Sequence, residues 1–213
     1  MPSSFLSECK QKVLNRIESL LTQQDQVTSS MRYSALADSK CIRAGLVFAS
    51  GKLEGQLDEV GLTDIATSIE LMHTYSLIHD DLPAMDDDDM RRGQTSNHIK
   101  FNEATAILAG DALQALAFET IASSKGLTDA HKVEAVRMLA EACGHQGMIL
   151  GQQYDLDAEK NELLDIELIH SLKTAKLIQV ALTMPYLGNE MHKKTQVLLS
   201  NFCLLYTSPS PRD

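Results

Sequence analysis

Six aspartates fall between Asp80 and Asp89 in the segment HDDLPAMDDDDMRRG, which runs from His79 to Gly93, and two arginines follow them. Carboxylates this close repel one another and raise each other's pKa unless a cation comes between them. A solvated acidic loop is the plainer reading of such a run, but two features point further. The run begins directly after the helical stretch YSLIH, so Asp80 and Asp81 sit where a packed helix emerges. Pro83 then bars regular helix, because its ring clashes with the carbonyl four residues back. Asp86 can therefore return to Asp80 through a loop. Oxygen-only ligands select a hard cation, and Mg²⁺ fits where phosphates supply further ligands. Calcium of the EF-hand type does not: a loop counted from Asp80 or Asp86 lacks the glycine at its sixth position and the glutamate at its twelfth.

Arg91 and Arg92 extend this chemistry. Beside a cation cluster, two guanidinium groups make a site for an anion of high charge density, and a diphosphate is the natural candidate. No Ser/His/Asp or Cys/His arrangement suggests a side-chain nucleophile.

The elements that must position these groups are helical. Apolar residues recur at three- and four-residue steps from Leu6 to Leu21. Thr63 is expected to cap a helix through DIATSIELMHTYSLIHD, Asn102 one through EATAILAGDALQALAFETIA, and Thr128 one running on to Asp157. Further helices are expected from about Glu162 to Met184, stopped by Pro185, and from about Glu190 to Phe202. No segment alternates as a strand does. The expectation is an all-α bundle of long antiparallel helices.

Composition narrows the function. The chain has 213 residues, a formal net charge of −10 and a pI of about 5.1, so no basic surface is available for nucleic acid. No stretch reads as the eighteen or so consecutive apolar residues of a membrane span. Glu8 and Lys10 interrupt the N-terminus before an apolar run develops, unlike a signal peptide. The cysteines at 9, 41, 143 and 203 are scattered, which suits reduced thiols and a cytoplasmic location.

The segment LIHDDLPAMDDDDMRRG resembles the first aspartate-rich motif of the trans-prenyl diphosphate synthases, above all the bacterial-type farnesyl diphosphate synthases. The similarity runs on through NHIKFNEATAILAGDALQALAFE, GQQYDLDAE and LKTAKL, covering roughly Met31 to Phe202. It implies the isoprenoid synthase fold, Mg²⁺ as cofactor, a homodimer when full length, and condensation of isopentenyl diphosphate with dimethylallyl or geranyl diphosphate. Asp80 and Asp86, with Asp81 assisting, would hold Mg²⁺ against the allylic diphosphate. Arg91 would grip that diphosphate, while Arg92 and His73 would bind isopentenyl diphosphate. Lys173 and Thr174 match the pair beside the developing carbocation, and Gln152 and Asp155 fit the GQxxD element of a facing helix. Tyr75, with Ser76, stands where the pocket floor sets chain length. Its ring implies a fifteen-carbon product, with geranylgeranyl diphosphate as the alternative.

Two departures accompany the resemblance. The early GGKRxRP loop is here Asp38-Ser39-Lys40-Cys41-Ile42-Arg43-Ala44. Lys40 and Arg43 keep the positions that would bind isopentenyl diphosphate; the glycines, the central arginine and the proline are gone. The second aspartate-rich motif, D-D-x-x-D after F-Q, is absent. Residues 1–202 therefore read as the N-terminal part of one synthase domain lacking its C-terminal helices. CLLYTSPSPRD, residues 203–213, reads as a disordered, foreign tail, and the chain alone is expected to be inactive. A non-catalytic partner of a complete subunit and a class I terpene cyclase are the other readings. The two arginines with Lys40 and Arg43 argue for a second diphosphate site, which a cyclase does not need.

Overall fold

The computed structural model describes residues 2–54, 57–158, 165–188 and 198. The expected helix 190–202 and the tail 203–213 lie outside these, apart from Leu198. Among the described residues, helices α1 (Pro2–Leu20), α2 (Gln26–Ala35), α3 (Ile42–Glu54) and α4 (Glu59–Asp80) precede a small hairpin, β1 (Met90–Arg91) with β2 (Gln94–Thr95). Then come α5 (Asn97–Lys100), α6 (Glu103–Ala122), α7 (Asp129–Cys143), α8 (Met148–Ala158), α9 (Ile166–His170), a π-helical turn (Ser171–Ala175) and α10 (Lys176–Thr183). Apart from the hairpin, the described residues form an all-α bundle, as expected.

Helix α4 is the axis of the bundle. Ile65, Ile69, Leu71 and Met72 are fully enclosed, and its largest partner is α6. A helix apolar on nearly every side belongs in the interior. By length and average hydropathy α6 is the one helix among the described residues that could cross a membrane, although the sequence reading found no such stretch. Its apolar residues Ala106, Ala109, Leu113, Ala117 and Ile121 are buried in the bundle core.

Several boundaries differ from expectation. Asp58, not Thr63, caps α4, accepting the Gly61 amide at 2.7 Å. Thr63 lies inside the helix and its hydroxyl donates to the Glu59 carbonyl, a local bond that weakens its signal as a cap. Asn102 and Thr128 cap α6 and α7 as expected. The helix expected to run from Thr128 to Asp157 breaks after Cys143, where Gly144 turns extended, and restarts at Met148. At Gly147 a Cβ would lie 2.1 Å from the Ala142 carbonyl oxygen, so only glycine permits so tight a reversal. The helix expected over 162–184 is interrupted by the π-helical turn. The strands were not expected either: Arg92 (φ 54°) and Gly93 (φ 77°) make the two-residue left-handed turn that short hairpins favour.

Candidate active site

The end of α4 delivers the first carboxylates. Asp80 is its last residue and Asp81 its cap. The loop after Pro83 doubles back, and the Asp86 amide donates to the Asp80 carbonyl at 2.9 Å. The expected return of Asp86 to Asp80 is thus present in the backbone. Burial pushes the Asp80 pKa up to about 6; Lys173 opposes this, and Asp86 adds to it. A carboxyl kept in so unfavourable a place is characteristic of functional sites.

Asp81 is placed differently. Its side chain is only 3% exposed and receives Arg91, whose Nε donates to Oδ1 at 2.9 Å with a second bond from Nη2. Arg91 also reaches Asp88 at 3.2 Å. The alternation of the hairpin turns Arg91 inward and leaves Arg92 exposed at the turn. The hairpin is held by α2: the Tyr33 hydroxyl donates to the Thr95 carbonyl at 2.8 Å. Beside it, buried Asn97 accepts from the Ser30 hydroxyl at 2.6 Å and donates to Ser34 at 2.8 Å.

A cavity of about 400 Å³ opens between α4, α8 and the π-helical turn. It brings together eight of the expected residues: Arg43, His73, Tyr75, Ser76, Asp80, Gln152, Lys173 and Thr174. Asp155 joins at the rim, accepting from Lys173 Nζ at 2.6 Å, and the same ammonium lies 3.9 Å from Asp80. Asp81, Arg91 and Arg92 line a separate small crevice that shares Leu77 with the cavity. Lys40 is exposed on the loop before α3.

The cavity is lined by polar and apolar side chains together. Met85, Met148, Ile149, Leu156 and Leu177 form much of the wall. Buried Tyr75 packs edge-on to His79, ring centroids 5.3 Å apart, and burial raises its pKa to about 12. His73 is pushed well below the usual histidine range by burial first, then by Arg43, Arg92 and Arg91. Of the residues that line the cavity, Arg43 through Nε and Gln152 through both amide atoms hold polar atoms sealed from water without a hydrogen-bond partner among the described residues. Such atoms are costly unless a ligand meets them.

Sequence reasoning missed the residues that make this geometry possible. A Cβ on Gly151 would lie 2.3 Å from the Lys173 amide nitrogen and 2.8 Å from its Cα. Gly151 therefore lets α8 touch the backbone of the π-helical turn, a rare feature that clusters at functional sites. Gly110 similarly makes room for His79, whose Nε2 would be 2.2 Å from an added Cβ. The glycine of the GQ pair was the only available signal. Gly151→Ala should displace Lys173 and cost about 1–3 kcal/mol, the range for forcing extra volume into close packing. Urea unfolding checks this, and unchanged stability would show that the contact positions nothing.

Among the described residues no three carboxylate, histidine or cysteine side chains converge as a ready metal cage. Asp80 and Asp86 carry hard oxygen donors of the kind that Mg²⁺ takes when phosphates and water complete its shell. Asp81 Oδ1 is committed to Arg91, which leaves it less free to join them.

Comparison with known proteins identifies the family. Residues 24–206 match the Polyprenyl synthetase family. The chain is 42% identical over 191 residues to the farnesyl diphosphate synthase of Haemophilus influenzae, covering 85% of this chain and 64% of that protein. It is 44% identical over 183 residues to the farnesyl diphosphate synthase of Escherichia coli, covering 84% of this chain and 61% of that one. A geranyltransferase structure from Legionella pneumophila superposes with a TM-score of 0.90 at 36% identity, covering 97% of this chain and 75% of its own. The chain thus spans less than two-thirds of the length of these two curated relatives. With its fold, its aspartate-rich loop and a family match over most of its length, the chain belongs to the polyprenyl synthetase family.

Proposed function

We propose that the chain carries the substrate-binding part of a farnesyl diphosphate synthase, which joins isopentenyl diphosphate to dimethylallyl or geranyl diphosphate. The observation that carries this reading is the cavity itself, where Asp80, Lys173, Thr174, Arg43 and Gln152 share the lining with methionine, leucine and isoleucine side chains. An allylic diphosphate has the same two-part character.

Asp80 and Asp86 would hold Mg²⁺, which supplies positive charge against the departing diphosphate. Lys173, between Asp155 and Asp80, is poised to add its own charge there, and Thr174 borders the path of the allylic chain. Arg43, His73 and Arg92 would orient isopentenyl diphosphate, helped by Lys40 from the loop. Neutral His73 fits a donor to phosphate oxygen. The apolar wall would exclude water while the carbocation forms and is attacked by the double bond. The final proton can leave on the released diphosphate, so no side-chain base is required. The proposal includes a homodimer packed through α6, whose outer face exposes Ile107 and Leu108.

Binding is the test suited to this chain. Calorimetry with geranyl S-thiolodiphosphate should show binding that appears with Mg²⁺ and vanishes with EDTA. Binding indifferent to the metal would sink the reading. In a catalytically competent context, Tyr75→Ala should carry the product beyond fifteen carbons, read by mass spectrometry. A product that still stops at fifteen would place the pocket floor elsewhere.

A further inference from the structure

Glu70 lies on α4 one turn before His73, and it is 6% exposed. Its Oε1 accepts the Ala44 amide at 2.9 Å. Ala44 is in the first turn of α3, where amide hydrogens have no partner within the helix. A Ser, Thr, Asp or Asn usually meets them from the residue before the helix. Here that residue is Cys41, in a left-handed conformation (φ 45°) with its sulfur 3.0 Å from the Ser39 hydroxyl. A carboxyl from another helix takes over the cap.

We infer that Glu70 is a positioning residue for the isopentenyl diphosphate end of the site: by accepting the Ala44 amide it fixes the first turn of α3, and with it Arg43. Arg43 is the residue next to Ala44, its Nε sealed and unpartnered at the cavity. The charges of Arg43 and Arg92 both act on Glu70, against a burial that pushes its pKa up. A proline at 44, as in the GGKRxRP loop, has no amide hydrogen to donate. The contact therefore requires a residue such as alanine there, and it offsets part of what the altered loop lost.

The inference rests on the proposed function, and its test separates the two. Glu70→Leu keeps the volume and removes the acceptor; Glu70→Gln keeps an acceptor. In Glu70→Leu, exchange of the Ala44 amide with deuterium should rise, and affinity for isopentenyl diphosphate should fall, each by about tenfold, the worth of one buried hydrogen bond. Affinity for geranyl S-thiolodiphosphate, held at Asp80 and Lys173, should change little. Glu70→Gln should restore both readings. Equal weakening of both ligands, or unchanged exchange at Ala44, would overturn the assignment. If the wild-type chain binds no isopentenyl diphosphate, the functional reading fails, and exchange at Ala44 alone decides the positioning claim. Should Glu70→Leu not fold, Glu70→Asp withdraws the carboxyl by one methylene and takes the same readings.

Discussion

Replacing Asp80 by asparagine should weaken Mg²⁺-dependent binding of geranyl S-thiolodiphosphate by about 10²–10³-fold, the range for removing one electrostatic contact in a preorganised site. The substitution keeps the shape of the side chain and removes only its charge. That charge sits in an unfavourable place, 15% exposed and close enough to Asp86 to be repelled by it. Neutralising it relieves burial and repulsion together, so the melting temperature without metal should hold or rise. Lys173 keeps its partner, since Asp155 accepts it at 2.6 Å. Weaker binding with undiminished stability would mark Asp80 as a residue retained for its ligand. Affinity within about threefold of wild type, far below the loss expected for such a contact, would remove Asp80 from the metal site.

Asp81→Asn should show the opposite balance. Here the carboxylate is matched by Arg91, and removing one partner of a largely buried pair leaves the other uncompensated. The loss should be about 3 kcal/mol in urea unfolding, the low end for such pairs, because Arg91 keeps Asp88 and about a third of its side chain in water. The hairpin should loosen with it, since Arg91 is the inward-facing anchor of β1. Metal-dependent binding should fall far less than in Asp80→Asn. An Asp81→Asn protein as stable as wild type, but equally unable to bind the metal, would return Asp81 to the ligand set.

The adjacent aspartates show what could be read from sequence and what could not. Pro83 was enough to predict a loop carrying Asp86 back to Asp80, because a proline's effect on its own backbone is local. That Asp81 would serve Arg91 depended on a hairpin made by Arg92 and Gly93, two residues too few to register as strand. The all-α bundle was legible because three- and four-residue periodicity repeats along the chain. The break at Gly144–Gly147 was signalled by its two glycines, a local cue that the long run of periodicity masked. The π-helical turn carried no such cue, since it packs against α8 through Gly151. Gly151 and Glu70 make the same point. Each matters through a helix distant in sequence, and nothing in its immediate neighbours announces it.

The orientation of α4 has a consequence of its own. At its start, Asp58 and Glu59 place negative charge where the aligned peptide dipoles leave a partial positive pole, and the two agree. At its far end the agreement is reversed. The helix closes on Asp80 and Asp81 at its own negative pole, with His79 as the sole basic residue of the last turn. A cation arriving there meets the field of a 22-residue helix as well as two carboxylates, all of one sign. Arg91 answers one of these charges from within the chain. The pole and Asp80 are left unanswered, so a divalent cation bound there would hold the last turn of α4 more firmly.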